Sequence, residues 1–365
     1  MSPSNSTDPH AAGGIDWCRA PAAAVDLNAR EAAISRQGNL TKPPGALGRL
    51  EDIAIQLAAL QGRETPGVDR AWISVFAADH GVAAAGVSAF PQEVTAQMIA
   101  NMATGGAAIS VLAKRIGAEI ELIDLGTVAP VAPHPMIRDA AIAPATANLA
   151  EGPAMSPVQL EQALGEGAAA VERARASGAE LYIAGEMGIG NTTAATALAA
   201  GLLGRPAAEL VGPGTGLDHA GLTRKRALID AALARHAEQL SDPAAALACL
   251  GGFEIAAMAG AYIACAQQGL PALVDGFISS AAALAACRLC PGAADWMLLA
   301  HASAEPGHQA IVAALGKQPL LDLGMRLGEG SGAAAAFPLL RLACQLHAEM
   351  ATFAEAGVAE KAREA

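Results

Sequence analysis

The spacing of apolar residues predicts that the N-terminal segment, from residue 16 to residue 60, is helical. From residue 47 to residue 60 the apolar positions recur every three or four residues, at Leu47, Leu50, Ile53, Ala54, Leu57 and Leu60. That period is typical of an amphipathic α-helix. The stretch after Asp16 is rich in Ala and predicts a second helix, and residues 41–45 (TKPPG) predict a basic turn between the two.

Beyond residue 70 the pattern changes to short apolar runs that end in small or polar residues. These runs cover residues 72–77, 120–125, 181–184, 273–274 and 296–300, and long Ala-rich segments separate them. Strands that alternate with helices indicate a parallel sheet with helices on both faces. We therefore predict an α/β fold with a doubly wound parallel sheet. Residues 130–157, rich in Pro and Ala, are expected to form a surface excursion.

Polar residues gather directly after the predicted strands, where ligands bind in sheets of this class. The clusters are Asp79-His80-Gly81, residues 185–193, Asp275-Gly276 and residues 301–308. A Gly-rich turn at residues 328–332 precedes the last long helix. The functional site is expected where these segments meet.

Composition narrows the class of protein. The 365 residues are 53% hydrophobic and only 3% aromatic, with 39 glycines and a net charge of −12. An acidic chain disfavours nonspecific binding to nucleic acid or anionic lipid. The apolar stretches at 255–266 and 281–287 end before the roughly 18 residues of a membrane span. We expect no nucleic-acid partner and no membrane, a disordered leader over residues 1–14, and a cytoplasmic location.

The six cysteines predict neither disulfides nor a metal site. A long chain with ample core and no secretion signal favours reduced thiols. Cys287 and Cys290 form a CxxC pair, but no second pair or nearby His completes a set of four zinc ligands. No metal and no cofactor are assigned.

Residues 185–193 (GEMGIGNTT) carry the strongest local signal. A Gly-rich turn followed by Asn191, Thr192 and Thr193 at a helix start would gather backbone N–H groups, two hydroxyls and the positive helix end around one point. One interpretation is a phosphate site; the other is an ordinary helix capped by Thr192 or Asn191. Glu186 would repel a phosphate, so it suggests a carboxylate facing a sugar hydroxyl or a developing cation.

Residues 212–216 (GPGTG) offer a second backbone cradle, with Lys225 further along the chain. The simpler interpretation is a chain turn followed by a solvated basic helix face at residues 224–226.

Glu329 lies between two glycines, so a ligand could approach the backbone while the carboxylate acts as a general base. An exposed turn glutamate is the alternative. His80, His301 and His308 are more simply explained as structural histidines than as ligands or acid/base groups.

Six segments in order resemble one family, the nicotinate-nucleotide:dimethylbenzimidazole phosphoribosyltransferases, which make α-ribazole 5′-phosphate for the lower ligand of cobalamin. The resemblance covers almost the whole chain after the leader and is carried by residues 41–51, 78–82, 86–95, 185–193, 251–256 and 326–332.

The resemblance implies a large α/β domain at residues 66–335 and a small helical domain built from residues 15–65 and 336–365. It also implies a homodimer, with nicotinate mononucleotide and 5,6-dimethylbenzimidazole as substrates. By the same resemblance Glu329 is the catalytic base and Glu186 a second active-site carboxylate. The implied nucleotide-binding residues are Gly188, Gly190, Asn191, Thr192, Thr193, Gly214 and Lys225, and the implied base-binding residues are Ser88, Gln92, Gln97 and Leu327.

The implied reaction is direct displacement of nicotinate by the benzimidazole, which needs one base, no covalent intermediate and no metal. The alternative is a nucleotide-dependent α/β oxidoreductase, although the chain lacks the GxGxxG turn followed by an acidic residue that dinucleotide binding favours.

Overall fold

A six-stranded, wholly parallel sheet forms the centre of the computed structural model, which describes residues 14–214 and 216–359. The strand order is β3-β2-β1-β4-β5-β6. Its members are β1 (Ala71–Ala77), β2 (Glu119–Asp124), β3 (Ile137–Asp139), β4 (Leu181–Met187), β5 (Ala272–Val274) and β6 (Met297–Leu299). Because the order runs outward in both directions from β1 and β4, the predicted doubly wound architecture is confirmed.

Thirteen α-helices accompany the strands in the described part of the chain. They are α1 (Leu27–Asn39), α2 (Arg49–Gln61), α3 (Glu93–Ala103), α4 (Ala108–Ile116), α5 (Pro157–Ala176), α6 (Asn191–Leu203), α7 (His219–Arg235), α8 (Pro243–Leu250), α9 (Phe253–Gln268), α10 (Phe277–Leu289), α11 (His308–Leu315), α12 (Ser331–Glu349) and α13 (Phe353–Ala356). Short 3-10 helices cover Asp16–Arg19, Gly81–Ala85, Ala207–Glu209 and Ala293–Trp296.

Strand β4 shows that helices cover both faces of the sheet. Its backbone at Gly185 lies against the residues that begin α12, since a Cβ there would overlap the Glu329 carbonyl. Glu186 and Tyr182 point to the other face, towards α9. There burial and Glu254 raise the pKa of Glu186, and burial and Tyr262 raise the pKa of Tyr182. Because side chains alternate along a strand, β4 is buried between two helical layers.

The five apolar runs predicted as strands correspond to β1, β2, β4, β5 and β6, but the sequence did not predict β3. The three residues of β3 pair with the end of β2, with Leu122, Ile123 and Asp124 opposite Ile137, Arg138 and Asp139. This strand lies at the sheet edge and within the segment expected to be a surface excursion. It is short, mostly exposed and preceded by prolines, so it leaves no alternating apolar pattern.

The two ends of the chain meet in a helical layer. Helix α2 packs against α1 and α12, and Arg36 donates to the carbonyls of His347 and Ala348. Leu40 forms an antiparallel bridge with Thr352. The expected boundary at residue 336 falls inside α12, which begins at Ser331. Of the predicted leader, all but Gly14 lies outside the described residues.

One stretch of the described chain, Glu93–Ile116, has the length and mean hydropathy of a membrane span, at 24 residues and 1.2. It is longer than the two stretches on which the sequence-based expectation depended. In the structure it consists of α3 and α4, which have 11 and 9 residues and are separated by a turn. Each helix is shorter than the roughly 20 residues that cross a bilayer.

Candidate active site

A cavity of about 430 Å³ opens where the sheet's carboxyl-terminal edge meets the loops that precede α6, α10 and α12. Small-molecule sites commonly have volumes of about 300–1,000 Å³. The lining includes the predicted site residues Glu186, Gly188, Asn191, Thr192, Gly214, Leu327 and Glu329, together with Phe90, Val94, Met98, Asp275, Phe277, His301, Ser303, Glu305 and Arg326. Residues distant in sequence therefore meet at the place that the strand-end rule predicted.

Glu186, near the end of β4, is almost wholly buried. One of its carboxylate oxygens, Oε2, accepts a hydrogen bond from the Asn191 side chain at the start of α6. Burial raises the pKa of Glu186 well above the ordinary value, and the nearby carboxylates of Glu254, Asp275 and Glu329 raise it further. The structure therefore favours the neutral form of Glu186 when no cation is present.

Glu329 belongs to the loop that leads into α12 and is also buried. Its Oε2 accepts a hydrogen bond of 3.1 Å from the backbone N–H of Ile109, at the first turn of α4. Burial raises the pKa of Glu329, while the Ile109 hydrogen bond opposes that shift. A carboxyl group with a raised pKa that faces a cavity is suited to accept a proton near neutral pH.

Glycines allow the two carboxylates to lie side by side. The backbone N–H of Glu329 donates to the Glu186 carbonyl at 3.2 Å. A Cβ on Gly185 would overlap the Glu329 carbonyl, and a Cβ on Gly328 would overlap the Glu186 carboxylate. Glu329 itself has φ of 64°, a positive value that no other non-glycine residue has in the described ranges. Such strain is typical of positions that the surrounding structure holds for function.

The start of α6 differs from an ordinary capped helix. Its N-cap is Gly190, with φ of 102° and no side-chain cap hydrogen bond. Asn191 is occupied with Glu186, and Thr192 Oγ1 accepts a hydrogen bond of 2.8 Å from Lys225 Nζ. Neither candidate cap residue therefore caps the helix. Thr193 is buried behind them, and its hydroxyl has no partner among the described residues.

Lys225 is fully buried, so the interpretation of residues 224–226 as a solvated face is wrong for this lysine. Besides Thr192, its ammonium donates to the Gly212 carbonyl at 3.2 Å. Burial lowers the pKa of Lys225 to about 8, and the Glu305 carboxylate partly opposes this shift. Lys225 lies directly behind Gly214, where a Cβ would come within 3.2 Å of the ammonium.

Three apolar side chains, those of Phe90, Val94 and Met98, line the cavity, and we call this set the apolar wall. Val94 and Met98 lie one turn apart on α3 and so share a face. Phe90 precedes the helix and is 51% exposed. Leu327, 60% exposed, also lines the cavity. An aromatic, uncharged ligand would fit such surroundings.

Three of the predicted base-binding residues do not line this cavity in the described structure. Gln92 donates from Nε2 to the His80 carbonyl at 3.0 Å. Ser88 accepts a hydrogen bond of 3.2 Å from the N–H of Phe90, and Gln97 lies on an exposed face of α3. Gly190 and Thr193 likewise lie outside the lining, below the turn that carries Gly188.

The three candidate histidines, His80, His301 and His308, differ in their surroundings. His308 accepts from the Ser303 N–H through Nδ1 and contacts Ser280 Oγ through Nε2, and burial lowers its pKa to about 4. It is therefore a structural histidine. His80 pairs with Glu254 at 2.8 Å, and both side chains are fully buried. His301 lines the cavity 3.6 Å from Asp275.

Sequence reasoning did not single out the apolar wall residue Met98, nor Arg326 as a site residue. Arg326 donates to the Gly214 carbonyl at 2.9 Å and so links the loop before α12 to the loop before α7. The sequence signal for the apolar wall is weak: Val94 and Met98 are spaced by one helical turn, and Phe90 precedes them. That spacing is equally typical of core packing.

Within residues 14–214 and 216–359, no group of three or more His, Cys, Asp or Glu side chains is arranged to hold a metal ion. The six cysteines are free thiols, and all except Cys287 are buried.

Comparison with known proteins identifies the family. Residues 22–358 match the phosphoribosyltransferase family model DBI_PRT. The chain is 61% identical over 349 residues to the nicotinate-nucleotide–dimethylbenzimidazole phosphoribosyltransferase of Azotobacter vinelandii, covering 95% of this chain and 99% of that one. It is 60% identical to the enzyme of the same name from Ectopseudomonas mendocina, over 95% and 99% of the two chains.

Solved structures agree with this result. A crystal structure of the same enzyme from Thermus thermophilus superposes with a TM-score of 0.87 at 48% identity, covering 92% of this chain and all of that one. A crystal structure of CobT from the same organism gives a TM-score of 0.88 at 49% identity with the same coverage. The chain is therefore a phosphoribosyltransferase of the nicotinate-nucleotide–dimethylbenzimidazole phosphoribosyltransferase family.

Proposed function

We propose that this enzyme transfers the 5-phosphoribosyl group of nicotinate mononucleotide to 5,6-dimethylbenzimidazole, releasing nicotinate and α-ribazole 5′-phosphate for the lower ligand of cobalamin. The observation that carries the proposal is the position of Glu329, a buried carboxylate that faces a cavity with an apolar wall beside a second carboxylate. The names of the relatives agree with these substrates.

The chemistry requires little from the protein at the sugar. The leaving group is nicotinate, which is bonded to C1′ through a cationic pyridinium nitrogen. This nitrogen becomes neutral when the bond breaks, so no general acid is needed. As the C1′–N bond breaks, C1′ gains oxocarbenium character. A benzimidazole nitrogen attacks from the opposite face, which converts the β-nucleotide into an α-product. No enzyme nucleophile takes part.

Glu329 acts as the general base in this proposal. The attacked benzimidazole becomes cationic when its nitrogen bonds to C1′, and Glu329 takes the proton from the other ring nitrogen. The raised pKa of Glu329 suits this transfer, and the Ile109 N–H fixes one carboxylate oxygen. Glu186 orients a ribose hydroxyl, and its ionised form stabilises the developing sugar cation.

In this proposal the nucleotide phosphate binds at the start of α6. Of residues 188–193, Gly188, Ile189, Asn191 and Thr192 line the cavity at the positive end of α6. Lys225 stands behind Thr192 and Gly214. A cation held against a hydroxyl at this point offsets the charge of a monophosphate. The base lies between the apolar wall and Leu327, with the segment from Ser88 to Gln97 along its border.

The test is product analysis. Incubating the protein with nicotinate mononucleotide and dimethylbenzimidazole should release nicotinate and α-ribazole 5′-phosphate in equal amounts, measured by chromatography and mass spectrometry. Binding of dimethylbenzimidazole without nicotinate release would contradict catalysis. Titration with NADH, read by its fluorescence, tests the oxidoreductase alternative, which family membership disfavours; we expect no enhancement.

The proposal includes a cytoplasmic homodimer. Two-fold pairing uses the same surface twice. Leu327 lines the cavity and is exposed, and Leu323, four residues earlier in the chain, is exposed as well. Light scattering at micromolar concentration should give twice the chain mass of 36.4 kDa. A mass of one chain would contradict the dimer.

A further inference from the structure

The hydroxyl of Thr95 on α3 is directed away from its own helix. Threonines inside helices commonly donate to the carbonyl four residues earlier, and Thr196 and Thr223 do so at 2.6 and 2.9 Å. Thr95 instead donates to Oδ1 of Asp79, beyond the end of β1, at 2.6 Å. This tertiary contact fixes α3 to the sheet.

The same hydroxyl also accepts a hydrogen bond of 3.1 Å from the backbone N–H of Ile189. Asp79 accepts a second hydrogen bond through Oδ2 from the N–H of Val128, at 2.9 Å. Thr95 and Asp79 are fully buried, and Ile189 is 4% exposed. A buried hydrogen-bond network therefore joins Ile189, Thr95 and Asp79.

The hydrogen bond between Ile189 and Thr95 joins two different sides of the cavity. Val94 and Met98, which flank Thr95 on α3, form most of the apolar wall. Ile189 lies in the middle of the glycine turn, residues 188–190, at the start of α6. We propose that Thr95 is a positioning residue that couples the base side of the cavity to the nucleotide side, so that each substrate favours binding of the other.

The physical argument is one of shared order. A base pressed against the apolar wall fixes α3, and α3 then holds the Ile189 N–H through Thr95. The glycine turn, which has little steric restriction of its own, is thereby ordered before the nucleotide arrives. The second ligand consequently meets a site that has already lost part of its conformational freedom, and binding becomes cooperative. The effect is reciprocal by thermodynamic necessity.

Two substitutions at the same position separate this role from packing. Thr95→Val keeps the side-chain volume but removes the hydroxyl that serves both hydrogen bonds. Thr95→Ser keeps the hydroxyl but deletes a buried methyl group, so it loses packing instead. Thr223→Val, which removes an exposed hydroxyl bonded only within α7, is the control for loss of a helical threonine hydroxyl.

The experiment is calorimetric titration with 5,6-dimethylindole, a base analogue whose missing ring nitrogen prevents attack, in the absence and presence of saturating nicotinate mononucleotide. For the wild type and for Thr95→Ser and Thr223→Val we expect the nucleotide to tighten indole binding about fivefold or more, the lower range of common coupling. In Thr95→Val the factor should fall below about twofold, while thermal melting confirms folding.

This inference rests on the proposed function, and its failure has a different signature. If the wild type turns over both substrates but binds the two ligands independently, the coupling is overturned and the function stands. Equal loss of coupling in Thr95→Ser and Thr95→Val would also overturn it, since packing would then be the cause. A wild type that binds neither ligand would overturn the function and the coupling together.

Discussion

The tripeptide Gly-Glu-Gly occurs twice in this chain and has opposite properties in the two places. Glu166 lies in the interior of helix α5, partly exposed, with Arg138 at 3.4 Å. Glu329 lies in a loop where all three residues have positive φ, at 92°, 64° and 84°. The same letters therefore give a surface ion pair in one context and a buried, strained carboxylate in the other.

The glycines differ as much as the glutamates. Gly167 lets α5 approach α9 closely, since a Cβ there would overlap the Ala257 carbonyl. Gly328 makes room for the Glu186 carboxylate, and Gly330 allows the turn into α12. In the first tripeptide one glycine, Gly167, permits close helix packing, and in the second Gly328 and Gly330 permit the turn that brings Glu329 beside Glu186. Context of this kind decides what a short motif does.

The largest expected difference between the two tripeptides is the effect of their glutamates on turnover. Glu329→Gln retains size and hydrogen bonding but removes basicity, so we expect kcat to fall about 10²- to 10⁴-fold. The matched substitution in the other tripeptide, Glu166→Gln, should leave kcat within about twofold of the wild type. Steady-state release of nicotinate measures both. Because the pKa of Glu329 is raised, the acid limb of the wild-type kcat/KM profile should lie above the ordinary carboxyl pKa of about 4.3.

Near-normal turnover in Glu329→Gln, with folding confirmed by circular dichroism, would assign the base role to Glu186 or to solvent. Loss of turnover in Glu166→Gln would instead show that α5 affects the site.

The contrast between the tripeptides was partly visible in the sequence. An Ala-rich helical environment around Glu166 and a third glycine, Gly332, beyond Glu329 already separated the two. The sequence could not show that Glu329 meets the first turn of α4, because that contact joins residues 220 positions apart. Nor could it show that Lys225 is buried, since three basic residues in a row are typical of a solvated face.

The fold, like the site, has features that the sequence predicts and features that depend on contacts between distant residues. Long periodic segments and strands buried on both faces were predictable because they repeat one physical signal over many residues. Strand β3 was not, because its order comes from pairing with β2 and not from its own apolar content. The apolar wall was also hidden, since it becomes a wall only when α3 is placed beside the loop before α12.

The second prediction concerns the glycines of α5, which offer a matched pair in one helix. Gly167→Ala forces α5 away from α9, so we expect the free energy of unfolding to fall by about 2–3 kcal/mol. Gly165 has no atom within 4 Å of an added Cβ, so Gly165→Ala should raise stability by about 0.5–1 kcal/mol through helix propensity. Urea unfolding at one fixed protein concentration measures both, and activity per folded molecule should be unchanged.

An equal effect of the two alanines, in either direction, would show that close packing of α5 on α9 does not govern stability at this helix.

The third prediction tests the cost of keeping carboxylates in the cavity. Since the folded pKa of Glu186 is raised, the stability associated with its neutral form is present below the ordinary carboxyl pKa and is lost as pH rises towards the folded pKa. Glu186→Gln has no such titration. It should therefore be more stable than the wild type at about pH 8, by about 1 kcal/mol, with the difference shrinking towards about pH 5. A lower stability at the alkaline end would contradict the assigned direction.

The smallest effect belongs to the ion pair of the first tripeptide. Glu166 and Arg138 have side chains 27% and 49% exposed, so water already screens their attraction, and holding two long side chains in one geometry costs entropy. We expect Glu166→Gln to change the free energy of unfolding by less than about 0.5 kcal/mol at low salt, and by still less at about 0.5 M sodium chloride. Because Arg138 lies on β3, a larger loss would mean that this ion pair fixes the edge strand, and that the first Gly-Glu-Gly has a structural role beside the catalytic role proposed for the second. Urea unfolding at the two salt concentrations distinguishes these outcomes, with Arg138→Gln as the reciprocal variant that should give the same small change.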